Sequence, residues 1–171
     1  MNEWIDWFQR VLDVSIRLYF RQECDLSSVY DIPLPKAGPL WKALLPEQVD
    51  PTFDEWMVLM LALMPHLSPQ MLDILFVHNK NFDRPYTEFG GWKGLSHGGF
   101  LPTGETAVFL LAGDRVERRL EVVRLFREEH WFHMYHVVGL EGAGNGEPFL
   151  SGQLRISEDF LYRLSFEGEY K

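Results

Sequence analysis

The sequence predicts a mainly α-helical fold with a small β-hairpin, an α+β domain led by an amphipathic helix. Three observations predict it. Apolar residues recur at helical spacing over residues 2 to about 22. Thr52, Ser68, Thr103 and Asp114 each stand as capping residues before an apolar run. Only past residue 130 do β-branched and aromatic residues flank a glycine-rich turn. The chain has 171 residues, 46% apolar and 15% aromatic, which is ample for one real core and argues against disorder. Six Trp and thirteen Phe imply bulky packing or an aromatic contact surface.

In the first helix, Trp4, Phe8, Val11, Leu12 and Tyr19 lie near one face, widened by Trp7, Val14 and Leu18. Glu3, Asp6, Arg10, Asp13 and Arg17 keep the opposite face polar, and Asp6–Arg10 and Asp13–Arg17 are acid-first pairs four residues apart. So broad a stripe needs cover, from its own domain or from a neighbouring subunit. Residues 24 to 51 hold Pro33, Pro35, Pro39, Pro46 and Pro51, which break any long helix. They read as an extended strap along the core, with one helical turn near Leu40 to Leu45. Residues 1–50 thus form an amphipathic helix and proline-rich strap, ahead of a domain over 51–171.

Thr52 to Glu55 fits a capping box. The helix that follows, Trp56 to Met64, is apolar almost all round and is expected to be central, with Pro65 ending it. Ser68-Pro69 then opens a short helix to about His78 that buries Met71, Leu72, Leu75 and Phe76. Residues 79 to 102 interleave five glycines with Phe82, Tyr86, Phe89, Trp92 and Phe100. Such dense glycine opposes helix and strand interiors, and such dense aromatics oppose disorder, so an ordered loop with pinned aromatics is expected. Thr103 caps a helix holding Ala107 to Leu111, closed by Gly113. Asp114, boxed with Glu117, starts another, whose buried stripe is Val116, Leu120, Val123 (or Val122) and Phe126. His130 to Leu140 favours strand, Gly142 to Gly146 a turn, and Pro148 to Ile156 a returning strand. Ser157 caps a last helix through Phe160 and Leu164. Helices followed by a hairpin is the order of a winged-helix domain.

Bulk properties exclude several functions. The formal net charge is −9, and Arg115, Arg118 and Arg119 sit among Asp114, Glu117 and Glu121, so nucleic acid is a disfavoured partner. Cys24 is the one cysteine, which rules out an internal disulfide and a cysteine zinc cluster; no local motif activates it as a nucleophile. The N-terminus lacks the basic and apolar regions of a secretory signal, and the longest apolar run, Trp56 to Met64, is too short to span a bilayer. No membrane is expected, and the cytoplasm is the simplest compartment.

Motifs for chemistry are weak. Gly98 to Thr106 is superficially like a phosphate loop, but Glu105 stands where a lysine is required. Gly142, Gly144 and Gly146 lack the spacing of a dinucleotide fingerprint. His130, His133 and His136 suggest a metal-dependent enzyme, yet steps of three spread around a helix, and on a strand His133 points away from the others. Adjacent Ser96 and His97 do not face each other as nucleophile and base. The loop from Tyr86 to Leu101 remains. Its aromatics suit a recognition surface, and its glycines admit a partner backbone; the plainer reading is a loop pinned by its own aromatics. Candidate contacts are Tyr86, Phe89, Trp92, Lys93, His97, Phe100 and the exposed part of the first helix.

The run from His97 through Gly-Gly-Phe-Leu-Pro-Thr-Gly-Glu-Thr-Ala-Val-Phe-Leu-Leu-Ala to Gly113 resembles a signature in the N-terminal region of bacterial AAA-family ATPases of the Bacteroidetes type. Trp56 to Leu67 and Pro148 to Ser157 are similar too, so the resemblance covers roughly residues 50 to 171. In that family, whose genes often lie beside contractile injection system genes, this region is a variant winged-helix domain ahead of the motor. The resemblance implies a non-catalytic domain that binds a protein substrate or adaptor or supports ring assembly, with its own ATPase module and further copies of itself as partners. ATP and magnesium would belong to that module, because no nucleotide-binding lysine, acidic run or arginine finger occurs here. No catalytic, cofactor or metal residue of this chain is implied. The alternatives are the small histidine metalloenzyme and a winged-helix nucleic-acid binder.

Overall fold

The computed structural model describes residues 1–168. It is a mainly helical α+β fold. Helix α1 (Asn2–Tyr19) buries Trp4, Trp7, Phe8, Val11, Leu12, Val14 and Ile16 in the same core as the rest of the chain. Its broad stripe is therefore covered from within, and it stops short of residue 22, where Arg21 takes a positive φ of 53°. The strap contains a 3-10 turn (Val29–Asp31) closed by its own Ser28–Asp31 capping box, which the proline count concealed. It also holds the expected helical turn, α2 (Pro39–Leu44). Trp4, Trp41 and Trp56 meet with ring centroids 4.0 to 5.6 Å apart, tying α1 and α2 to the next helix.

That helix, α3 (Phe53–Leu67), begins at the Thr52–Glu55 capping box, and every side chain from Trp56 to Met64 is buried. Pro65 does not end it. Proline there removes a single N–H one turn from the end, and the Ser68 N–H still closes onto the Met64 carbonyl. The next segment is a 3-10 helix (Met71–Phe76) rather than an α-helix. Its three-residue period buries Leu72 and Leu75 and leaves Met71 and Phe76 only partly covered.

Residues 78–101 form two short antiparallel ladders, β1 (His78–Asn79) with β2 (Arg84–Pro85), and β3 (Trp92–Lys93) with β4 (Phe100–Leu101). Helix α4 (Gly104–Ala112) follows a box made by Thr103 and Thr106, and Gly113 closes it with φ +56°. Helix α5 (Val116–Val123) departs from expectation in two respects. Asp114 does not cap it; Arg115 holds the N-cap position without a side-chain bond. Its apolar stripe is rotated, so that Val122 is buried while Val116 and Leu120 are more than 60% exposed. Ion pairs supply the reason: Arg118 reaches Asp54 of α3 and Tyr30, and Arg119 grips Glu105 of α4 in two bonds of 2.5 and 2.6 Å. These turn a polar side of α5 toward the body.

His130 to Leu140 is part helix, α6 (Trp131–Met134), and part strand, β5 (Val138–Glu141). β5 pairs antiparallel with β6 (Gln153–Ile156), and Pro148 enters a 3-10 turn (Phe149–Ser151) before that strand. On the far side of β6, the Leu154 N–H donates to Pro102 at 2.8 Å and the Gly104 N–H to Gly152 at 3.2 Å. Pro102 and Thr103 thus act as a short third strand between α3 and α4. Helix α7 (Glu158–Gly168) follows, with Ser157 accepting from the Phe160 N–H. Among the described residues, no helix is long and apolar enough to cross a membrane.

Candidate functional site

The loop of residues 78–101 divides into an anchored half and an exposed half. Phe89 is buried and packs between Tyr86, Tyr19, Phe20 and Phe109, with Tyr86 stacked on it at 5.0 Å. Phe100 is buried as well, edge-on to Phe76 at 5.2 Å. Two glycines make this possible. Gly90 and Gly91 both have positive φ, and a Cβ on Gly91 would come within 2.2 Å of the Phe100 ring. The Gly91 N–H donates to Thr103 and the Thr106 hydroxyl to the Phe89 carbonyl, so the loop is locked onto the N-terminus of α4. Tyr19 hydrogen-bonds Glu88, and burial first, then this bond, pushes its hydroxyl well above the usual phenol range.

The exposed half is smaller than the sequence suggested. Of the six candidate contacts, Phe89 and Phe100 lie in the core and Tyr86 is half-buried against Phe89. Trp92 is 37% exposed, and its Nε1 donates to the Ser151 carbonyl at 2.7 Å, laying the indole over Gly142. Lys93 is exposed. His97 is half-buried, with its Nε2 buried against Gly99 and unpaired among the described residues. The apolar face of α1 offers little, since it is buried. Sequence reading missed the outermost groups, Phe82 and Leu95, both well exposed. Arg84 lies over the Phe82 ring at 5.4 Å. Lys80, Arg84 and Lys93 outnumber Asp83 and Glu88, so the segment is net positive on a chain of net charge −9. That local reversal was legible in the sequence.

The three histidines do not gather. His130 caps α6 through Nδ1, which accepts from the Phe132 N–H at 3.2 Å, while its Nε2 meets Glu55 at 2.9 Å. An Nδ1 that accepts leaves the proton on Nε2, so both ring nitrogens are satisfied. His133 and His136 are 6.3 Å apart by ring centroid, while both His130 nitrogens are engaged elsewhere. Among the described residues, no three His, Cys, Asp or Glu side chains group closely enough to hold a metal. Glu55 also accepts from Trp131 at 2.7 Å and from the Thr52 N–H at 2.7 Å. Burial alone would raise its carboxyl, but the bonds from His130, Thr52 and Trp131 outweigh this and hold it at about 2. The cluster clamps α6 onto the start of α3.

Gly98 to Thr106 does not fit a nucleotide. Glu105 is paired with Arg119, the Thr103 and Thr106 N–H groups donate to each other's hydroxyls, and the Gly104 N–H donates to the Gly152 carbonyl. His66, near His97 and Arg155, is held below the ordinary imidazole range by burial first and by those two cationic or potentially cationic neighbours second. Cys24 lies 3.9 Å from Asp25, whose carboxylate does nothing to activate a thiol. No family model, curated protein or solved structure matches the chain.

Proposed function

We propose that this chain is a non-catalytic N-terminal domain of an AAA-type ATPase, working in the cytoplasm to dock a protein substrate or adaptor, or to hold neighbouring copies in a ring. The chemistry of ATP and magnesium would lie in a separate module of the same protein. The observation that carries this reading is the role of the His97–Gly113 run. Its length is occupied by one structural unit: β4, the Thr103–Thr106 box, α4 and the Gly113 closure. Nearly every residue of α4 is buried, so the run serves as scaffold and presents the loop before it. From α3 onward the order is helix, extended segment, the helices α4, α5 and α6, and then the β5–β6 hairpin, helices before a hairpin as the family resemblance implies.

The docking surface on this reading is the exposed half of the loop, centred on Trp92, Lys93, Phe82 and Leu95, with aromatic area and positive charge on an acidic body. The test begins with the gene. A nucleotide-binding lysine motif in frame after Lys171 supports the reading, and a stop codon there removes it. With the full protein in hand, changing both Trp92 and Lys93 to alanine is expected to leave basal ATP hydrolysis intact and to abolish its stimulation by a bound adaptor. Loss of basal hydrolysis together with stimulation would instead place these residues in ring assembly.

A further inference from the structure

The hairpin has one edge paired and one edge open. Backbone groups alternate in direction along an antiparallel strand, so each residue points its N–H and C=O to one side only. The Leu154 N–H goes to Pro102, away from β5. The Ser157 N–H goes to the Val137 carbonyl, toward β5. With Leu140 opposite Leu154 and Val138 opposite Ile156, it is Gly139 and Glu141 that bond β6. Val138 and Leu140 therefore direct their N–H and C=O groups away from β6, and among the described residues nothing hydrogen-bonds them. Val138 is only 5% exposed and Leu140 half-buried, so these groups lie low in the surface, where unpaired backbone costs most.

This open edge borders a groove of about 500 Å³. Its lining also includes Phe126 and Glu128 from before α6, His133 of α6, His136 just after it, and Phe149 of the turn before β6. Val138, Leu154 and Ile156 face the core, and Gly139, Glu141 and Arg155 face out, the last two paired at 2.9 Å. A Cβ on Gly139 would meet nothing within 4 Å, so the outer side of the strand is unobstructed.

We propose that the β5 edge is a strand-addition site: it takes one extended segment of another protein, which continues the sheet through backbone bonds to Val138 and Leu140. The inward side chains of that segment would be apolar, to lie against the half-buried Phe126 and Leu140, and the outward ones polar, beside Glu141 and Arg155. A second folded copy is the poorer occupant. It would bring its own α6 wall to a groove already bounded by one. The proposal does not depend on the ATPase reading.

The test uses a display library of linear heptapeptides selected on the whole chain. The best peptide is then synthesised with and without N-methyl groups on alternate backbone nitrogens. Enriched peptides are expected to alternate apolar and polar residues and to slow exchange of the Val138 and Leu140 amides, while the Gly139 and Glu141 amides are protected with or without peptide. N-methylation in the bonding register is expected to weaken binding about tenfold or more, and in the opposite register to leave it intact. Leu140→Pro should do the same, since it removes an outward N–H and none that bonds β6. The N-methyl arm needs no protein variant, so it decides the matter even if that substitution disturbs folding. Failure to enrich any peptide, binding that spares the Val138 and Leu140 amides, or equal binding of both methylated forms would overturn the proposal. So would protection of those amides by raised protein concentration alone, which would make the occupant a second copy.

Discussion

Glu55→Gln is the sharpest probe of what holds this fold together. The Glu55 side chain is 13% exposed and accepts from the Thr52 N–H, the Thr52 hydroxyl, His130 and Trp131. Its carboxyl is held at about 2, against an ordinary 4.5. A carboxyl depressed on folding contributes stability that is fully present above its unfolded pKa and is lost as pH falls through its folded value. The window therefore runs from about pH 4.5 down to about 2. At 1.36 kcal/mol per pKa unit the full linkage is about 3 kcal/mol, and about 2 kcal/mol after allowing for partial solvent contact. Glutamine keeps the shape but presents an amide N–H₂ to groups that donate. At pH 7 the variant should lose about 2 kcal/mol, or roughly 4 to 8 °C in melting temperature for a chain of this size. At pH 2 the wild-type carboxyl is itself partly protonated, so the gap should shrink well below its value at pH 7. Urea denaturation of both proteins at pH 7, 5, 4, 3 and 2 measures this directly, since titrating groups out of contact with residue 55 cancel in the difference. A gap that stays constant across the series would refute the charge-based account and leave only shape. A gap below about 0.5 kcal/mol at pH 7 would refute the clamp altogether.

Three further substitutions separate scaffold from surface. Trp92→Ala should cost about 1 kcal/mol or less by chemical denaturation, because the indole is partly exposed and makes one bond to Ser151, while partner capture falls. A large loss of thermal stability would show instead that Trp92 is core. Gly91→Ala should cost about 2 to 4 kcal/mol, because a Cβ there meets the Phe100 ring and the φ of +92° disfavours any side chain; a neutral result would mean the loop can lift from α4. In a double-mutant cycle, Arg118→Ala and Asp54→Ala should couple by about 1 kcal/mol or more, since this pair is only about one-fifth exposed and joins α5 to α3. Strict additivity would leave the rotation of α5 without its stated cause.

Local signals in the sequence determined a good deal. Thr52 with Glu55, Thr103 before Ala107, Gly113 and Ser157 mark helix ends, and the structure puts helix ends there, because capping is a matter of residues three or four apart. The unbroken apolar run from Trp56 to Met64 could only be central. The fold class, mainly helical with a closing hairpin, was readable from the same patterns, whereas α6 and the two short ladders of residues 78–101 were not. What only the tertiary structure decided depends on partners far away in the chain. Val116 and Leu120 looked like a buried stripe, but Arg118 and Arg119 found carboxylates 64 and 14 residues away and turned the helix. Phe89 and Phe100 are indistinguishable from Phe82 by composition, yet two lie in the core and one stands in solvent, according to what the glycines beside them allow. His130 became a helix cap and a clamp on Glu55 rather than a metal ligand, through a contact across 75 residues. Short-range preferences are written in neighbouring residues, whereas the facing of a helix or a ring is set by whichever distant group packs against it.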